Sequence, residues 1–301
     1  MKKIGISTGA VQKAKGPFDT LELCARCDFD SVDFDLERYG GGSDPIYKSF
    51  DAMTEHFTKL KERADELGLI ISQTHGRCKS YTPDEEQSKR FLALTERDLY
   101  ASALLGAPAC VIHNINTSFW GEASAEFIHA KNAEMMADIA PFAEKNGVKI
   151  GFETFGGAKR ADGRCVQFFG DSYELMKQYN LVKTKNKVIC LDTGHTNEAV
   201  YTASIDGRRV PDVVESVHIF GKELGLLHLH DNNSFSDQHL LPLQSGKTCG
   251  VDWDSLMTAL DEVEYSGVYN FELNLSFFVP YMDEYLPIVA KYLKDFMKKY
   301  E

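Results

Sequence analysis

The chain contains no apolar stretch approaching the roughly 18–20 residues that a helix needs to cross a bilayer. No membrane span is therefore expected. The opening MKKIGISTGA has two lysines but no continuous apolar core, because Ser7, Thr8 and Gly9 interrupt it. It reads as a first strand rather than a secretory leader, and a cytoplasmic protein is expected. Dense basic clusters are also missing, and the formal net charge is −12. That balance disfavours a broad polyanion-binding face. The cysteines number seven and are scattered, which gives no disulfide framework. One C-x-x-C exists, Cys24 and Cys27, but it lies inside the helical stretch FDTLELCARC. A redox pair sits at a helix N-terminus after a strand, so these two read as core. Finally, no G-x-G-x-x-G turn follows the first strand, and Gly5 lies within it. This argues against an open dinucleotide-binding sheet.

What the chain does have is a repeating unit. An amphipathic helical stretch ends in Gly or Asn and is followed by a short apolar run. ERADELG precedes LIISQ, LYASALLGAP precedes ACVIH, and MMADIAPFAEKNG precedes VKIGF. YELMKQYN leads towards KVICLD, and MTALDEVEYSG precedes VYNFEL. The runs are nearly continuous in apolar character, as strands buried on both faces are. Adding KIGIST, SVDFDL and GLLHLH gives eight strands, with a closing helix over 280–300. Eight alternating units without a composition break predict a single (β/α)8 barrel, one domain over 1–301. Two loops, 155–171 and 231–251, leave the C-terminal ends of strands, where barrel enzymes place specificity elements.

Chemistry-bearing side chains recur at those same strand ends: His75, His113, Glu153, Asp192, His228 with His230, and Glu272. An unpaired buried carboxylate is costly, so Glu153 at the end of GFE demands a partner. Asp192 opens DTGH, with His195 three residues on, a pattern that also suits a helix N-cap. His228 and His230 alternate and so share a face. Asp237 and His239 follow in the next loop. If the strands close into a barrel, these groups converge. Glu153, Asp192, His228 and Glu272 then form a four-ligand ion site with open positions. His75, His113, His195, His230, Asp237 and His239 are expected to bind substrate or further ions. Imidazole and carboxylate donors without paired thiolates suit Mn²⁺, Zn²⁺, Co²⁺ or Mg²⁺. Trp120, Phe155, Phe168 and Phe169 offer an apolar wall, and Arg160 and Arg164 an anion contact.

The segments GFETFGG, CLDTGH, LHLHDNN, DQHLLPLQSG…GVDW and FELN, in that order, resemble the xylose-isomerase-like barrel superfamily. It includes sugar isomerases and epimerases, inosose-processing enzymes and endonuclease IV. The resemblance runs from the first strand to the eighth. It implies a metal-dependent sugar or polyol isomerase or epimerase that moves a proton next to a carbonyl through an enediolate. By motif, the metal ligands fall on Glu153, Asp192, His228 and Glu272, the two glutamates are catalytic, and His195 contacts substrate. The further ligands of endonuclease IV match His75, His113, His195, Asp237 and His239. A zinc phosphodiesterase acting at abasic DNA is therefore the alternative, and a lyase or dehydratase using the same site is a third. Two departures favour sugar chemistry: Asn114 and Ile115 follow His113 where endonuclease IV relatives have proline and glycine, and Thr154 rather than Asn follows Glu153. Many relatives are dimers or tetramers, so a homo-oligomer fits the resemblance.

Overall fold

The computed structural model describes residues 2–40, 44–120, 124–159, 165–246 and 250–301. Eight strands form the central sheet: β1 (Ile4–Ser7), β2 (Ser31–Asp35), β3 (Ile70–His75), β4 (Ala109–Ile112), β5 (Lys149–Glu153), β6 (Lys187–Asp192), β7 (Leu224–His228) and β8 (Tyr269–Phe271). From β1 to β7 each strand pairs in parallel with the next, and β1 also pairs in parallel with β8. The remaining seam closes just past β7. There Leu229 bridges Phe271, and Glu272 donates its amide to the Leu229 carbonyl at 3.1 Å. The result is a (β/α)8 barrel.

Among the described residues, ten α-helices run between and after the strands: α1 (Gly9–Lys15), α2 (Pro17–Arg26), α3 (Phe50–Glu66), α4 (Glu85–Leu104), α5 (Ala125–Asn146), α6 (Ser172–Leu181), α7 (Thr193–Ile205), α8 (Val213–Phe220), α9 (Trp253–Glu262) and α10 (Met282–Met297). Gly147, at φ 66°, supplies the left-handed turn that ends α5. Asn180, expected to cap α6, instead lies inside that helix. The polar stretch after β5 is not a plain loop: Gly157–Lys159 and Cys165–Gln167 pair as an antiparallel hairpin. Cys24 and Cys27 are buried, free thiols, as expected of core residues. Among the described residues, no helix is long and apolar enough to cross a membrane.

Period-two alternation explains how the barrel separates its two environments. On β6, Ile189 and Leu191 join the main core between sheet and helices. Val188 and Cys190 instead join Ala109, Val111 and Leu226 in a separate apolar cluster inside the barrel. Continuing the inward series upward gives Asp192 on β6, His228 on β7, His113 after β4 and Glu153 on β5. The apolar cluster thus floors the barrel near its N-terminal end, and polar groups crowd its C-terminal end.

Candidate metal centre

The C-terminal end opens into a bowl of about 270 Å³ whose lining includes His75, His113, Glu153, His195, Asp237, His239 and Glu272. Asp192 and His228 lie beneath it and are fully buried. The ligand atoms of Glu153, Asp192, His228 and Glu272 all fall within 4.8 Å of one another. Three other groups meet the same criterion: His75, Glu153 and His228; His75, Cys78 and His113; and His195, Asp237 and His239. Nine of the ten residues singled out in the sequence therefore enter a donor cluster. His230 does not. It stands beyond the end of β7, where its Nε2 meets both Asp192 oxygens, at 3.0 and 3.1 Å, and its ring stacks on His239.

His228 is the hub. Its Nδ1 lies 2.9 Å from Glu153 Oε1, 3.1 Å from Glu272 Oε2 and 3.9 Å from Asp192 Oδ2. Its Nε2 lies 3.0 Å from Asp33 Oδ2. A carboxylate only accepts, so Nε2 carries a proton and donates it to Asp33. By the same rule Nδ1 carries a proton towards Glu153 when no cation is bound, and loss of that proton frees the lone pair that could serve an ion among the other three acids. Gln73 Nε2 donates to the same Asp33 oxygen at 3.1 Å and steadies it. Asp33 and Gln73 went unmarked in the sequence. The available signal was that Asp33 and Asp35 share one face of an otherwise apolar strand, SVDFDL. Cys78 was also missed. With His75 and His113 it forms a further donor group.

Asp192 satisfies both readings of its motif. Oδ1 accepts the His195 amide at 2.7 Å and caps α7, while the carboxylate also faces the cluster. Gly194 in the same DTGH motif is sterically required, because a Cβ there would lie 1.9 Å from His230 Cε1.

Charge in the cluster is one-sided. Burial pushes the Glu153 carboxyl up, but His113 and His228 beside it outweigh burial and hold it well below the usual carboxylate range. Burial opposes ionisation of Asp192 too, and His195 and His230 bring it down to about 2. The imidazoles move the other way. Burial disfavours charge on His195, yet Asp192 and Asp237 raise it to about 10. His228 rises well above its ordinary value despite burial, through Cys190, Glu272, Glu153 and Asp33. Without a cation, protons on imidazole are what hold these acids together.

Of the aromatic residues expected to wall the site, Phe155 does so, with its ring 4.0 Å from that of His113. Phe168 and Phe169 pack against His129, and Trp120 against Phe127. Arg160 and Arg164 lie outside the described residues.

The sequence model of the xylose isomerase-like TIM barrel family matches residues 21–280. The chain belongs to this family. Solved structures of similar fold include the IOLI protein with a bound zinc atom, at 19% identity and TM-score 0.73, covering 100% of this chain and 99% of that one. A D-psicose 3-epimerase from Clostridium cellulolyticum H10, solved with D-tagatose, is 16% identical over 99% of both chains, with TM-score 0.68. The E. coli 3-keto-D-glucoside 4-epimerase is 15% identical, TM-score 0.70, covering 98% of this chain and 100% of that one. Identities this low establish a shared fold. An uncharacterised protein of Methanocaldococcus jannaschii is 27% identical over 153 residues, 51% of this chain and 46% of that protein. The chain thus spans about half the length of that curated relative.

Proposed function

We propose that this xylose isomerase-like barrel is a divalent-metal-dependent sugar or polyol isomerase or epimerase. The observation that carries the reading is the meeting of Glu153, Asp192, His228 and Glu272 ligand atoms within 4.8 Å. The donor set fits a metal on two further counts. Glu153 Oε2 and His195 Nδ1 are buried without a well-aligned hydrogen bond, although His113 Nε2 lies 3.0 Å from the first and Asp192 Oδ1 3.4 Å from the second, and a protein rarely leaves buried polar atoms so. Moreover, among the described residues no lysine or arginine pairs with these acids, and buried acids need a counter-charge. The epimerase names of the structural relatives point the same way.

A divalent ion at this point would act as a Lewis acid toward oxygens on adjacent substrate carbons. Glu153 and Glu272 reach it from β5 and from the residue after β8, which are not neighbouring strands. One takes the proton from the carbon beside the carbonyl, and the other returns it from the opposite face. Glu153 is enclosed, whereas the Glu272 side chain is about one-fifth exposed at the mouth. His195 and His239, linked through Asp237 at 3.3 and 3.0 Å, stand where substrate hydroxyls would be held. Phe155 supplies the apolar face against the sugar ring.

The test is direct. Chelator-treated protein should lose ketose isomerisation, measured as exchange of substrate protons with solvent deuterium. Mn²⁺, Co²⁺, Zn²⁺ or Mg²⁺ should restore it. Undiminished exchange in metal-free protein would sink the reading. A second reading rests on the two flanking donor groups, His75/Glu153/His228 and His195/Asp237/His239. Three ions there would suit phosphodiester hydrolysis at abasic DNA. About one ion per chain and no nicking of abasic duplex supports the sugar reaction. Three zinc ions with nicking supports the other.

A further inference from the structure

A second concavity, about 910 Å³, lies beside the bowl and shares Glu37 and Cys78 with it. The bowl alone falls just below the usual size of small-molecule sites, about 300–1,000 Å³, and the groove near the upper end. Besides Arg77, three cations line the groove: Arg38 from the stretch after β2, Lys79 from the stretch after β3, and Arg90 from α4. All three are exposed. Among the described residues none of their side chains forms an ion pair or hydrogen bond. This gathering of uncommitted positive charge occurs on a chain of net charge −12.

The wall that carries them is pinned. Arg77 is buried and makes two bonds to Asp98, Nε to Oδ2 and a second guanidinium nitrogen to Oδ1, both 2.9 Å. It also donates to the carbonyls of Leu36, Glu37 and Tyr39. One buried guanidinium therefore fixes the strand-2 and strand-3 connections against α4, and with them Arg38 and Lys79. The acidic side chains of the lining do not cancel the cations equally. Asp84 is committed to capping α4 through the amides of Glu86 and Gln87. Glu37 stands at the boundary with the bowl. The exposed cations of the lining, Arg38, Lys79 and Arg90, outnumber its two carboxylates, Glu37 and Asp84. Phe119, 66% exposed, adds an apolar edge.

We propose that this groove is a second subsite, which takes an anionic substituent of the substrate: a phosphate ester or a carboxylate carried by the sugar whose reacting carbons occupy the bowl. The inference rests on the sugar reading above and narrows its substrate class. Cations with free donors bind such oxyanions by charge-assisted hydrogen bonds, each typically worth about tenfold in affinity.

Calorimetric titration of metal-loaded protein with D-glucose, D-glucose 6-phosphate and D-glucuronate tests it. The anionic sugars should bind at least about tenfold more tightly than the neutral one. The triple substitution Arg38→Ala, Lys79→Ala, Arg90→Ala should erase that preference without changing metal content or neutral-sugar binding. The single Arg90→Lys should keep it. A preference for the 6-phosphate alone identifies a phosphate ester, and for glucuronate alone a carboxylate. No preference in the wild type, or one that survives the triple substitution, overturns the proposal. The readout is binding, so an absence of epimerisation would defeat the proposed reaction while leaving the anion preference visible.

Discussion

Asp33 lines the bowl without belonging to the four-ligand group, yet it should control how tightly an ion there is held. It is buried, and its Oδ2 accepts the Nε2–H of His228 at 3.0 Å. That bond fixes which imidazole nitrogen is free and makes Nδ1 a stronger donor. Changing Asp33→Asn preserves size and an acceptor oxygen but removes the charge. Changing Asp33→Ala removes the acceptor as well. Loss of such a supporting carboxylate typically weakens metal affinity about 10–100-fold, or roughly 1.4–2.8 kcal/mol. We place Asn near the tenfold end, because the tautomer is retained, and Ala near the hundredfold end. Competition between the protein and a chromogenic chelator for Zn²⁺ or Mn²⁺ reads the difference directly. His228→Ala serves as the reference for loss of the ligand itself. If both Asp33 variants hold the ion as tightly as the wild type while His228→Ala does not, the role assigned to Asp33 is wrong.

Glu153→Gln and Glu272→Gln should each lower kcat by about 10²–10⁴-fold, the usual contribution of a positioned acid or base. Bound metal must be quantified in the same samples, and retained turnover with full occupancy would exclude a proton-transfer role. Metal binding should release protons, because His228 sits well above its ordinary value and must give up the proton on Nδ1. Apparent affinity should therefore fall as pH drops and rise as pH climbs; calorimetry in buffers of different ionisation heat would show no proton release if this is wrong. Arg77→Ala leaves the buried Asp98 carboxylate without its counter-charge and with the Tyr47 hydroxyl as donor, and should cost about 3–5 kcal/mol of stability; an unchanged urea midpoint would contradict that. Gly194→Ala puts a methyl group 1.9 Å from His230 Cε1. It should push that ring off Asp192 and weaken metal binding, whereas wild-type affinity would show that the ring has room to move.

The alternation of residues along each strand is local, and it was enough to read the barrel and most of its polar end. Val188, Cys190 and Asp192 point one way because a strand turns each successive side chain over, whatever surrounds it. The strand ends carrying Glu153, Asp192, His228 and Glu272 were legible for that reason. Alternation says nothing about where a chain leaves its strand. His228 and His230 look equivalent in LHLHD, but β7 ends at His228, and His230 serves Asp192 from outside the cluster. Nor does it encode which strands meet across the interior. Asp33 and His228 are 195 residues apart and touch only because the barrel closes with a particular stagger between β2 and β7. The groove of Arg38, Lys79 and Arg90 has the same origin, since two separate connections and α4 become one surface where Arg77 clamps both connections against the helix. Composition and periodicity fixed which residues face inward, while closure of the sheet decided which of them meet.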